Sequence, residues 1–402
     1  IIDTDTHLTE PPDLWTSRMS KKWGDLVPHV KWNDEKQSEY WYVGDQPIMG
    51  ITIGVVNNGP NGEAVIREDE FPNMPKVWGD VHPSQYDPVE RAKAMDEVGL
   101  TMAALYPNLG FVGPDIYHVA KEQTLEFQTE AIRAYNDFQM EWNAAAPGRF
   151  ITLAAIPYWS VEESVREIER AVESGHKGLV TTGMPQMHGQ PYLADKHWDP
   201  IWSAASEAGL PISFHAGGGD FSRHWNEQRF AVEGFSAMTA RAPVCFFFDN
   251  ATQLADLLFS GVLPRFPDLK FVSVESGIGW IPFCLEACDT HYKKYAVQKE
   301  RPEFGDLLPS DYFHRQVYAN YWFEEVNLPV MAAVGTDNIL FETDYPHPTC
   351  LFQREVTDAV AKLDRVDPDL RDKILWRNAA RLYSLDVSTL ADPRPAAASR
   401  AG

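Results

Sequence analysis

The chain has 402 residues, 44% of them hydrophobic and 23% charged, which is enough for one large buried core with room for insertions. Its formal charge of −23 opposes binding to nucleic acid or to an anionic membrane surface. No stretch approaches the roughly 20 apolar residues of a membrane span and no basic-then-apolar leader is present, so a cytoplasmic protein is expected.

In chain order, Ile1-Ile2 opens a first strand that leads to Asp5 and His7. Residues 20–85 break the rhythm that follows. Within them Glu39 to Val43 and Pro47-Ile48 flank Gly44-Asp45, a hairpin signature. An insertion after the carboxyl end of a strand belongs at the mouth of the fold, where it would act as a lid. Asp87 to Val98 has helical spacing, with Asp87 as N-cap, Pro88 at the first position and Gly99 as the stop. Strands are expected at Met102 to Tyr106, Phe150 to Ile156, Gly178 to Thr182, Leu210 to Phe214, Phe271 to Val274, Gln316 to Ala319 (weakly) and Ile339 to Thr343. Between and after them helices are expected at Asp115 to Ala146, Val161 to Ser174, Trp198 to Ala208, Thr252 to Leu263, Trp280 to Val297, Glu324 to Val334 and Phe352 to Tyr383. From Asp386 the tail is small, polar and Pro-containing, so disorder is expected there.

Counting from Ile1, eight short apolar strands alternate with helices. Continuous apolar strands with both faces covered pair in parallel, and eight such units close into a (β/α)8 TIM barrel. A doubly wound open sheet competes, but no Gly-x-Gly-x-x-Gly follows the first strand. The expectation is one barrel domain over residues 1–385, with the β-hairpin-containing insertion at about 20–85.

Acidic and histidine residues stand where these strands run out: Asp5 and His7, His215, Glu275 and Asp344. At the carboxyl ends of parallel strands they converge on one mouth. Imidazole and carboxylate are good ligands for Zn²⁺ or Mn²⁺. His215 precedes Ala216-Gly217-Gly218-Gly219, a run that lets backbone approach a bound group closely. Asp344, in Glu342-Thr343-Asp344-Tyr345-Pro346-His347, can ligate through one oxygen and accept a proton through the other, with His347 supporting it. Trp159 and His188, with Trp41, Met184 and Phe221, suggest an aromatic pocket for a small-molecule substrate. The cysteines, Cys245, Cys284, Cys288 and Cys350, form no Cys-x-x-Cys pair, which argues against a disulfide framework or a thiolate zinc site.

The stretches DTDTHLTEPPDLW from Asp3, YDPVERAKAMDEVGLTMAALYPN from Tyr86, SFHAGGG around His215, GVLPRFPDLKFVSVESGIGWIP from Gly261 and FETDYPHP from Phe341 together resemble the amidohydrolase 2 group of metal-dependent barrel enzymes, which includes relatives of aminocarboxymuconate semialdehyde decarboxylase. The resemblance implies a single divalent metal, Zn or Mn, held by Asp5, His7, His215 and Asp344. It also exposes two departures. Asp5 stands where the zinc decarboxylase has His and several aromatic acid decarboxylases have Glu, and Glu275 stands where decarboxylase relatives carry a His in a His-Gly-Gly-Gly run.

An ionised Glu275 beside Asp5 and Asp344 leaves such a site net negative unless a Lys or Arg approaches, and a substrate carboxylate there meets repulsion or forces Glu275 to protonate. On that argument the expected reaction is metal-dependent hydrolysis of an amide, ester, lactone or thioester, with Glu275 or Asp344 as base. The alternative is non-oxidative decarboxylation of an aromatic or unsaturated acid. A homo-oligomer is expected without a residue to argue it.

Overall fold

The structure, a computed structural model, describes residues 1–67, 71–108, 124–216 and 223–387. In chain order its strands are β1 (Ile2–Leu8), β2 (His29–Asn33), β3 (Ser38–Val43), β4 (Gln46–Gly50), β5 (Asn57–Asn58), β6 (Ala64–Val65), β7 (Met102–Pro107), β8 (Phe150–Ala155), β9 (Gly178–Val180), β10 (Ile212–His215), β11 (Phe271–Val274), β12 (Val317–Tyr321) and β13 (Ile339–Phe341). Eight of them form one parallel sheet in the order β1-β7-β8-β9-β10-β11-β12-β13. The two edges meet: Thr6 bridges Tyr345 in parallel, His7 N donates to Tyr345 O at 2.6 Å, and Asp344 N donates to Asp5 O at 2.9 Å. The eight expected strands are therefore present and close as a TIM barrel.

The barrel forms because most of its strands are apolar on both faces, β1 with Asp3 to His7 being the exception. Ile2, Ala104, Ile151, Val180, Val272, Val274 and Leu340 belong to the inner core, while Ala103, Leu105, Phe150, Leu179, Ile212, Phe271 and Phe341 pack against the helices outside. Polar side chains tie the helices to the sheet: Asn136 exchanges hydrogen bonds with both backbone groups of Ala155, and Gln139 does the same with Leu153.

Local signals locate most of the helices. Asp87 accepts from Val89 N and Glu90 N to cap Pro88–Glu97, and Val161–Ser174 ends at Gly175 with φ 93°. The helix expected from Thr252 instead runs Phe235–Phe259, through Pro243. Its first half contains Cys245 to Phe248, an apolar run without amphipathic period, so the spacing carried no sign of it. The long helix expected from Asp115 is described as Leu125–Ala145; its proposed start, the Gly217 to Gly219 run, Phe221 and the tail beyond Val387 lie outside the described residues. Among the described residues no helix is long and apolar enough to cross a membrane.

After β1 the chain builds an antiparallel sheet, β2-β3-β4, with Gly44 at φ 61° between β3 and β4. Trp41 on β3 is fully buried and meets Trp15 edge-on at 5.1 Å, so it belongs to the core and not to a substrate pocket. The segment after β4 reaches the carboxyl ends of the barrel strands. Thr52 Oγ1 lies 3.2 Å from Thr9 Oγ1 and accepts from Asn108 Nδ2 at 3.1 Å, while Val55 N donates to Pro346 O at 2.9 Å.

Candidate metal centre

The register of β1 first aims the site. Asp3 pairs with Ala103 and Thr6 with Leu105, so Thr4 and Asp5 together oppose Ala104 alone. A bulge of this kind turns a side chain out of simple alternation. Asp3 Oδ1 stabilises it by accepting from Asp5 N at 3.1 Å and from Thr343 N, just beyond the last strand, at 3.0 Å. Arg91, buried beneath, donates to His7 O at 2.6 Å.

Six side chains then meet at the mouth. His7 Nε2 lies 3.4 Å from Asp5 Oδ1 and 3.3 Å from Asp344 Oδ1; His215 Nε2 lies 3.5 Å from Asp5 Oδ1. His215 Nδ1 lies 3.2 Å from Glu275 Oε2, and His347 Nδ1 lies 3.0 Å from Asp344 Oδ1. The His7 ring stacks on His347 at 3.7 Å and meets His215 edge-on at 5.0 Å. One donor atom each from Asp5, His7, His215 and Glu275 lie within 4.8 Å of one another, and so do those of His7, Glu275, Asp344 and His347.

The tautomers suit metal binding. Nδ1 of His7 donates to Pro107 O at 2.8 Å and Nδ1 of His215 to Ala216 O at 3.1 Å. A neutral ring that donates from Nδ1 presents its lone pair at Nε2, and both Nε2 atoms face the cluster. Burial, then the neighbouring His347, pulls the His7 pKa down to about 3, and burial lowers that of His215. Both rings are thereby kept neutral, as ligation requires.

The carboxylates are crowded. Burial, then Asp344 and Asp3, pushes Asp5 well above the carboxylate range; burial, then Asp344, Asp5 and Glu342, does the same to Glu275. Burial also works against ionised Asp344, but His347 and His7 beside it hold it below its usual value. The Thr349 hydroxyl donates to Asp344 Oδ2, which leaves Oδ1 toward the other ligand candidates. Both oxygens of Asp5, Nε2 of His7 and His215, and Oδ1 of Asp344 are buried without a hydrogen-bond partner among the described residues. Five such atoms converging from carboxylates and neutral imidazoles are a poor arrangement for an empty polar cavity and a good one for a divalent cation.

Among the residues expected at the site, Asp5, His7, His215, Glu275, Asp344 and His347 come together. Trp159 and His188 form another group: each packs around Tyr158, at 5.2 and 5.9 Å, beyond the ends of β8 and β9. Four contributors were not anticipated. Asp3 supports the β1 bulge, and Asn108 Oδ1 lies 3.1 Å from His347 Nε2. Thr349 holds Asp344, and Glu342 Oε2 accepts from Glu275 N at 3.0 Å and from Asn320 Nδ2 at 2.6 Å. Asp3 and Glu342 each precede a named acid by two positions, a spacing the sequence displays.

Known proteins resemble the chain across this architecture. The gamma-resorcylate decarboxylase of Polaromonas sp. is 25% identical over 309 residues, covering 74% of this chain and 87% of the relative. An amidohydrolase from Mycobacterium avium subsp. paratuberculosis superposes with a TM-score of 0.72 at 23% identity, covering 95% of this chain and 98% of that one. A dihydroxybenzoic acid decarboxylase from Polaromonas sp. JS666, solved with bound manganese and the inhibitor 2-nitroresorcinol, gives a TM-score of 0.60 at 19% identity, covering 95% and 96%. These relatives overturn the expectation of an acyl-bond hydrolase, because those with a specific named reaction are decarboxylases. The charge argument behind that expectation counted protonation of Glu275 as a cost of bringing in a carboxylate, whereas burial, then Asp344, Asp5 and Glu342 beside it, already push its pKa well above the carboxylate range. The amidohydrolase family model matches residues 2–385, almost the whole chain, and with the closed barrel and the acid–histidine cluster at its mouth the chain belongs to the amidohydrolase family.

Proposed function

We propose that this protein is a metal-dependent, non-oxidative carboxy-lyase of an aromatic carboxylic acid, with one divalent ion, Zn²⁺ or Mn²⁺, held by Asp5, His7, His215 and Asp344. The observation that carries the proposal is the convergence of bare Nε2 atoms and unbonded carboxylate oxygens from three separate parts of the chain. The curated decarboxylase relative supports the reaction class.

In such a reaction the bond between ring carbon and carboxylate breaks and CO₂ departs. The electron pair left on the ring carbon then takes up a proton. A bound ion supplies a positive charge that orients an oxygen substituent of the substrate and stabilises negative charge on it. Asp344 and Glu275 are the carboxyl groups at the mouth that can hold and deliver the proton, with Asp344 fixed through Oδ2 by Thr349. The acidic surroundings favour this chemistry over simple binding. When Glu275 is ionised they repel the substrate carboxylate, and the repulsion is relieved as CO₂ leaves uncharged, so the interaction acts differentially on the transition state.

The insertion is read as a lid, since Thr52 reaches the site through Asn108 and His347. Residues 1–385 are read as one catalytic domain, cytoplasmic and self-associating, with Trp159 and His188 toward the substrate pocket. The deciding experiment incubates metal-loaded protein with a panel of hydroxylated benzoates and measures CO₂ release. Turnover of one or more is the expected result; a fully metal-loaded protein that releases no CO₂ from any of them would remove the reading.

A further inference from the structure

We infer that Glu275 is itself a ligand of the metal centre, so that the ion is held by three carboxylates and two imidazoles. The inference rests on the metal-centre reading above and deepens it. Two observations lead there. Donor atoms on one ion at bonds of roughly 2.1 Å lie no more than about 4.2 Å apart, and slightly wider sets close by small side-chain shifts. Glu275 and His7 are the residues shared by both four-membered sets of donors within 4.8 Å, so an ion placed in either set has Glu275 within reach.

The second observation is in the backbone. Glu275 has φ 56° and Asp344 has φ 60°, a region where a non-glycine residue is strained by on the order of 1 kcal/mol or more and persists only when its surroundings impose it. The segments that follow β11 and β13 thus use one device to turn a carboxylate inward. At Glu275 the device is held from below, where the buried Glu342 accepts the Glu275 N–H and is anchored by Asn320. If Glu275 only capped the turn, glycine would serve at lower cost. A third carboxylate also hardens the donor set, which narrows the advantage that Zn²⁺ ordinarily has over Mn²⁺ at an imidazole-containing site.

The test is equilibrium binding of Mn²⁺ and Zn²⁺, by competition with a chelator, to the apoprotein and to two variants. Glu275→Gln keeps the shape and removes the charge. Glu275→Gly removes the donor at a backbone position where glycine is favoured, so the fold tolerates it, and a thermal melt of each apoprotein confirms this. Loss of a residue that merely supports a ligand weakens binding by about 10–100-fold, so loss of a ligand should exceed about 100-fold for Mn²⁺. The ratio of Zn²⁺ to Mn²⁺ affinity should rise in both variants, and the electron paramagnetic resonance spectrum of bound Mn²⁺ should change. Variants that stay within about 100-fold of the parent, with an unchanged spectrum, overturn the inference while leaving the metal centre intact. A parent protein that binds neither ion overturns the metal centre itself.

Discussion

Removing and restoring the ion should change stability by an amount that can be worked out in advance. Five buried donor atoms at the mouth lack hydrogen-bond partners, so the folded chain offers a formed site that the unfolded chain does not. A ligand that binds only the folded form adds about 2.7 kcal/mol at 100 times its dissociation constant and about 4.1 kcal/mol at 1,000 times. Unfolding entropy scales as about 2.1 cal/mol/K per residue, which for 402 residues is about 0.8 kcal/mol per kelvin. The melting temperature should therefore rise by about 3 °C at the lower saturation and about 5 °C at the higher. The assay is a calorimetric melt of chelator-treated protein, with and without Mn²⁺ or Zn²⁺, and with Mg²⁺ as a control. In His215→Ala, which deletes one bare Nε2, the rise at the metal concentration that gives the lower saturation should fall below about 1 °C, since loss of a ligand should weaken binding by more than about 100-fold. A rise of equal size in His215→Ala and the parent would refute the reasoning, as it would place the ion elsewhere.

Three further outcomes are expected. On the proposed reading Asp344→Asn removes a ligand and a proton carrier while keeping the side chain's shape, so CO₂ release should fall by about 10²–10⁴-fold, with the far-ultraviolet circular dichroism spectrum unchanged. His176 is buried, and desolvation, followed by the Arg170 charge, lowers its pKa to about 4. Because the folded value lies below the unfolded value of about 6.5, this group costs nothing above that pH; as pH falls from about 6.5 to 4 the unfolded chain binds the proton first, and stability declines by on the order of 3 kcal/mol. His176→Asn should flatten that limb of a urea-midpoint profile, and an unchanged slope would count against it. Trp15, fully buried against Trp41 and donating from Nε1 to Ala131 O at 3.1 Å, should cost roughly 3–5 kcal/mol when replaced by Ala, read from equilibrium unfolding.

The reaction class was misread because it was argued from a single side chain. Glu275 is visible at the end of an apolar strand, but its charge depends on Asp5, Asp344 and Glu342, which arrive from two other strands. Repulsion of a bound carboxylate also does not distinguish an enzyme that avoids that group from one that expels it.

The alternation of apolar strands and helices determined the barrel, because a parallel strand must be apolar on both faces wherever the chain places it. The same pattern determined that Asp5, His7, His215, Glu275 and Asp344 would share one mouth, since the carboxyl ends of all eight strands face one way. Only the tertiary structure decided how they stand there. The extra residue in β1, the carbonyl of Pro107 that fixes the His7 tautomer, and the turned backbones of Glu275 and Asp344 depend on partners distant in the sequence. Periodicity records which face of a strand a residue occupies; tautomer, charge and aim are set by contacts across strands, which no local pattern encodes.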